Sequence, residues 1–162
     1  MGQALPIANN ARRPPLVLVA DDNDVSRALL RRLLIREGYG VRLAHDGKST
    51  IETVRRRKPN LVLLDLRMPD LDGSSVLMRL REDHDSISLP IIMISADNDG
   101  EVVAACLGMG ANDFVAKPIH WPTLRARMQT HLRLQAARSA LSAKPPRGGA
   151  ARGAQSLGEQ AH

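Results

Sequence analysis

Three short runs of uninterrupted apolar residues organise the chain: Leu16–Ala20 (LVLVA), Leu61–Asp65 (LVLLD) and Ile91–Ser95 (IIMIS). Each has strand length and no polar alternation. That is the pattern of parallel strands covered on both faces. Weaker strands are predicted over 41–44 (VRLA) and over Asp113–Ala116 (DFVA). The segments between them have helical spacing. Residues 24–37 place Val25, Leu29 and Leu33 on one face, with Leu30 and Leu34 beside it and Gly38 as a C-terminal stop. Residues 47–58 end in three arginines and a lysine before Pro59, where the helix dipole favours cations. Shorter helices are predicted over 74–82 and 99–108. A last helix over 122–139 opens on Pro122, with Leu124, Met128 and Leu132 on one side.

Five strands alternating with five helices predict a doubly wound α/β domain with helices on both faces. Right-handed crossovers narrow the topology to a five-stranded parallel sheet in the flavodoxin-like order 2-1-3-4-5. The domain is expected over 15–140, between a flexible segment over 1–14 and a disordered, basic, low-complexity tail over 141–162.

In such sheets the functional crevice lies at the carboxyl ends of the strands. The first strand runs into Asp21 and Asp22, the third ends on Asp65, the fourth on Ser95, and the fifth runs into Lys117-Pro118. The order places the first and third strands side by side, so three carboxylates converge. Two carboxylates ~4–5 Å apart repel by roughly 3–4 kcal/mol at an effective dielectric near 20. A hard divalent cation, most simply Mg²⁺, answers that repulsion, and Lys117 adds positive charge from the other side. Next to a cation, the Asp65 carboxylate is placed to attack a phosphoryl group.

Composition narrows the reading. Aromatic residues are only 2% of the chain, so Leu, Val, Ile, Met and Ala must build the core. The single cysteine, Cys106, can form no internal disulfide, which fits a reducing cytoplasm; its expected place is inside the fourth helix. No apolar stretch approaches the ~20 residues of a membrane span. The start has no apolar leader, and Pro6 stands where a myristoylation signal needs Ser or Thr. Of the net charge of +6, two units come from Arg12 and Arg13 and two more from the last twenty residues. Charge gathered at the ends points to solvated termini rather than to direct nucleic-acid contact.

Taken together, VLVADDND, LVLLDLRMPDLDG, PIIMISA and GANDFVAKPI resemble, in order and spacing, the receiver domains of two-component response regulators. The resemblance covers about residues 16–138. It implies that Asp65 accepts a phosphoryl group from a sensor histidine kinase or a histidine phosphotransfer protein. It implies Mg²⁺ held by Asp22 and Asp65, with Asp21 acting directly or through water and the backbone carbonyl of Arg67 completing the set. Lys117 would pair with a phosphoryl oxygen, and Lys117-Pro118 is commonly cis in the family. The Ser95 hydroxyl would move inward, and Phe114 would follow by changing rotamer. Arg67 and Asp97 occupy positions that tune dephosphorylation. The face of the fourth helix and fifth strand would engage a downstream protein effector. The resemblance implies a cytoplasmic signalling domain that catalyses only its own phosphorylation and dephosphorylation. No membrane contact is expected, and a homodimer is left open.

Other residues read as structural. Asp24 is expected as an N-cap or first-turn acid, Asp70 and Asp72 as turn formers, and Trp121 as cover for the loop before the last helix, with an exposed partner contact as the alternative. His84, His120 and His131 lack ligand spacing and are expected at the surface. Nothing after residue 142 has the pattern of an output domain; Met1 and the tail favour a stand-alone receiver over a truncated piece. Three competing classes remain: a small-molecule phosphatase, a flavin-binding protein of the same topology, and an adaptor that keeps the fold without phosphorylation. The first lacks an acid two residues past Asp65, where Arg67 stands. The second would need a Gly- or Ser-rich phosphate loop where this chain has DDNDVS.

Overall fold

A computed structural model describes residues 13–143. The expectations for residues 1–12 and 144–162 lie outside the described residues. Five strands alternate with five helices: β1 (Leu16–Ala20), α1 (Asp24–Arg36), β2 (Gly40–Ala44), α2 (Gly47–Arg56), β3 (Leu61–Asp65), α3 (Gly73–Asp83), β4 (Ile91–Ser95), α4 (Gly100–Gly108), β5 (Asp113–Ala116) and α5 (Trp121–Ser142). The sheet is parallel throughout, in the order β2-β1-β3-β4-β5. This is the doubly wound, flavodoxin-like arrangement that the apolar runs predict.

The side-chain period of a strand divides the core in two. Leu18, Val62, Leu64, Ile91 and Met93 pack on the side that also buries Val54 of α2, Val76, Leu77 and Leu80 of α3, and Cys106 of α4. Val17, Val19, Leu61, Leu63, Ile92 and Ile94 pack on the other side, against Leu30 and Leu34 of α1 and Leu124 and Met128 of α5. Every residue of β3 and β4 is buried. Cys106 is packed inside as expected, and Trp121 is half-buried against the second cluster.

Helix starts are capped by short polar side chains. Asn23, Asp46, Asp72 and Asp99 accept from the backbone of Ser26, Ser49, Ser75 and Glu101. Asp24 is therefore a first-turn acid and Asp72 a cap. Gly38, with φ +87°, closes α1 in the left-handed region that glycine supplies at low cost. The guanidinium of Arg81 donates to the carbonyls of Gly110 and Leu89 and to Asn112 Oδ1, each at 2.8 Å. It ties α3 to the loop between α4 and β5.

Three expectations are revised. The buried row of α1 is Leu30 and Leu34, while Val25 and Leu29 are 77% and 52% exposed. Five large apolar positions in the ten residues 25–34 support two adjacent rows, and only the row meeting Val17 and Val19 reaches the sheet. The last helix runs to Ser142, past the expected end of the domain at 140, because AARSALS contains no strong helix breaker. His131 is not a free surface residue: its ring lies 3.5 Å from Asp113, which Arg127 also engages at 2.6 Å.

Candidate functional site

The carboxyl ends of β1 and β3 bring Asp21, Asp22 and Asp65 together. One oxygen from each lies within 4.8 Å of the others. The pairing Ala20↔Leu64 sets this convergence, since it places the residues that follow on one rim. Asp21 and Asp65 are buried, whereas Asp22 is exposed. Buried acids need partners. Asp21 accepts from Asn23 N at 2.9 Å, and Asp65 accepts from Arg67 N at 3.1 Å. Lys117 closes the cup from the β5 side, with Nζ 3.0 Å from Asp21 Oδ2 and 3.3 Å from Asp65 Oδ2. Asp22 makes no ion pair among the described residues.

Charge is therefore under-compensated. Burial pushes the Asp65 carboxyl up to about 6; the Arg67 amide and Lys117 hold it down, while the charge of Asp21 adds to the rise. Burial alone would lower Lys117, but its bond to Asp21 and the charges of Asp65 and Asp21 outweigh that and raise it. One ammonium against three carboxylates leaves negative charge at a rim made only of oxygen donors. That donor set fits a hard divalent cation. Asp21, Asp22 and Asp65 form an acidic cluster that could hold one.

Two loops frame the cup. Arg67 and Asp97 join the two loops through an ion pair of 2.7 Å. The Ser95 side chain is fully buried, and its hydroxyl accepts from Asp97 N at 3.1 Å. Lys117 N donates to the Ser95 carbonyl at 2.9 Å, so β4 and β5 hold serine and lysine in register. The Lys117-Pro118 peptide is cis. Phe114 is half-buried against the α2–α4 side of the core, three residues before Lys117. A Cβ at residue 73 would overlap the Asp65 carbonyl oxygen, so Gly73 lets the turn fold tightly back on the strand end.

The three acids expected to hold a cation, Asp21, Asp22 and Asp65, meet with Lys117 at one rim; Ser95 and Arg67 flank it. Three contacts were not foreseen. The Arg67–Asp97 pair is one. The second is Asp70, whose carboxylate accepts from Gly47 N at 2.9 Å and Lys48 N at 3.0 Å, tying the Asp65 loop to the start of α2. It is a cap across loops rather than a former of its own turn. The third is Arg27, which donates to the Asp21 carbonyl at 2.6 Å. The only available signal was chemical type, an acid or arginine near a motif, with no spacing to name its partner.

Comparison with known proteins agrees with this geometry. Residues 17–129 match the family described as the response regulator receiver domain. The transcriptional regulatory protein AfsQ1 of Streptomyces coelicolor is 36% identical over 119 residues, which are 74% of this chain and 52% of AfsQ1. The response regulator MprA of Mycobacterium ulcerans is 40% identical over 117 residues, 72% of this chain and 50% of MprA. The chain thus spans about half the length of the curated relatives it matches. Among solved structures, the receiver domain of the Francisella response regulator 1452 superposes with a TM-score of 0.69 at 29% identity, covering 74% of this chain and 97% of that one.

Proposed function

This chain belongs to the response regulator receiver domain family, and on that premise we propose that Asp65 accepts a phosphoryl group from a histidine kinase or histidine phosphotransfer protein. The observation that carries the reading is the cup itself: three converging carboxylates with a lysine bridging two of them. Asp21, Asp22 and Asp65 would hold Mg²⁺, with the Arg67 carbonyl as a further ligand. The cation supplies positive charge against both the carboxylates and the incoming phosphoryl oxygens.

The chain's own residues do the rest. An oxygen of Asp65, ionised above about pH 6, attacks phosphorus. A P–O bond forms as the P–N bond to the donor imidazole breaks, and the imidazole leaves with the electron pair. Lys117 shifts from Asp65 Oδ2 to a phosphoryl oxygen. The Ser95 hydroxyl leaves Asp97 N and donates to a second oxygen. Phe114 follows by rotating into the space behind Ser95.

The readout would be the face of α4 and β5. Cys106 is the one residue that α4 buries fully. An element with so few buried contacts shifts at low cost. A downstream protein effector would bind that face in the cytoplasm, an environment that suits the unpaired Cys106. The chain is a signalling domain, and any catalysis is of its own phosphorylation and dephosphorylation. Among the described residues no helix is long and apolar enough to cross a membrane.

Incubation with a purified, phosphorylated histidine donor and Mg²⁺ tests this. One phosphoryl group per chain is expected, with none in Asp65→Asn. Labelling retained in that variant would reject the assignment.

A further inference from the structure

The outer side of α1 carries a groove that the acidic cup does not use. It is an open depression of about 630 Å³ between the helix and edge strand β2. Ala28, Ile35 and Leu43 are its apolar lining, and Ile35 and Leu43 are 47% and 42% exposed. Arg27, Arg31, Arg32 and Arg36 form its wall, with Asp24 the single acid. Arg27 is occupied, since it pairs with Asp24 and donates to the Asp21 carbonyl. Arg31, Arg32 and Arg36 make no ion pair among the described residues. Arg32 and Arg36 stand one turn apart on the same helix, where like charges disfavour the helix. Three unneutralised cations thus stand beside two partly exposed aliphatic side chains, a mixed basic and apolar surface.

We propose that this groove docks an acidic amphipathic helix of a partner protein. Its apolar side chains would cover Ile35 and Leu43, and its carboxylates would pair with Arg31, Arg32 and Arg36. Charge complementarity selects this occupant. Residues 1–12 contain no acid, and residues 144–162 set one acid, Glu159, against Lys144, Arg147 and Arg152, so neither end of the chain matches the wall. A second copy carries the same net charge of +6 and is repelled. A nucleic acid would satisfy the arginines but leave Ile35 and Leu43 uncovered, and the groove offers no aromatic ring for a base to stack on. The inference does not depend on phosphoryl transfer at Asp65.

The test uses the full chain and a fluorescein-labelled, ~18-residue peptide with glutamates flanking a leucine stripe at helical spacing. A scramble of the same composition and a short DNA duplex serve as comparisons. The patterned peptide is expected to bind at micromolar concentrations and to shift amide resonances of α1 and β2. Arg31→Glu combined with Arg36→Glu should weaken binding about tenfold, and Leu43→Ser about threefold. Unchanged thermal melts would show that these exposed substitutions leave the fold intact. Should the double variant not fold, Arg32→Gln is read instead, with about a threefold loss expected. Equal binding of the scramble or the duplex, unchanged affinity in the variants, shifts confined to other elements, or no binding would each overturn the proposal.

Discussion

Arg67 and Asp97 meet at 2.7 Å, joining the loop after β3 to the loop after β4. Each partner stands two residues past a residue of the site, Arg67 after Asp65 and Asp97 after Ser95. Arg67→Ala and Asp97→Ala should each shorten the lifetime of the acyl phosphate by about two- to fivefold, the range set by one exposed ion pair. The double variant should decay no faster than either single one. Decay followed by loss of label after the donor is removed checks this.

The cup should also weaken the metal-free fold. The Asp65 carboxyl stands at about 6, above its ordinary 3.8, because it is buried and close to Asp21. An acid raised in the folded state contributes stability below its unfolded value, and that contribution is lost as pH rises through the folded value. At pH 7.5 the ionised Asp65 is therefore a burden. Asp65→Asn, measured without divalent metal, should raise stability by about 1–2 kcal/mol and Tm by a few degrees. The advantage should shrink below about pH 5. Thermal melts of both proteins at the two pH values provide the measurement.

Two carboxylates have the opposite sign. The Asp70 carboxyl is held at about 2 by the Gly47 and Lys48 amides. Asp85 is held at about 2 by the Ser88 amide and the Arg138 guanidinium. Each contributes stability that is complete above its unfolded value near 3.8 and is lost as pH falls toward 2. The unfolding midpoint should fall across that window. Asp70→Asn should flatten the fall and lower the midpoint at pH 7, because an amide caps the start of α2 less well. Chemical unfolding followed by circular dichroism at several pH values reads both effects.

Arg81 gives a test of the scaffold. Its guanidinium satisfies Gly110 O, Leu89 O and Asn112 Oδ1. Arg81→Ala leaves three partly buried acceptors with fewer donors and should cost about 2–3 kcal/mol. Hydrogen exchange should quicken first in the loop from Gly110 to Asn112. Urea unfolding and amide exchange check the two expectations.

The sheet and its acids were legible in the sequence for one reason. Strands buried on both faces show as unbroken apolar runs, so Asp21, Asp65 and Lys117 stand out as the charges that end or follow them. The orientation of α1 was not legible. Val25, Leu29 and Leu33 carry the helical period as well as Leu30 and Leu34 do, and only packing against Val17 and Val19 decides between them. Pairings far apart in the chain leave no local trace. Asp70 reaches back 23 residues to Gly47, and Arg67 reaches forward 30 to Asp97. Their residue types suited several roles, and the loops alone chose one. The final turn of α5 was missed because an Ala- and Ser-rich stretch is compatible with both helix and tail.

The acidic rim is expected to take up a phosphoryl group on Asp65 only with a divalent cation in place. Intact-mass measurement after incubation with acetyl phosphate, across a titration of Mg²⁺, tests it most directly. The prediction is a single phosphoryl increment that grows as Mg²⁺ reaches millimolar levels, vanishes with chelator and maps to the peptide containing Asp65. An unchanged mass at saturating Mg²⁺, or an increment that persists without metal or maps elsewhere, would contradict it.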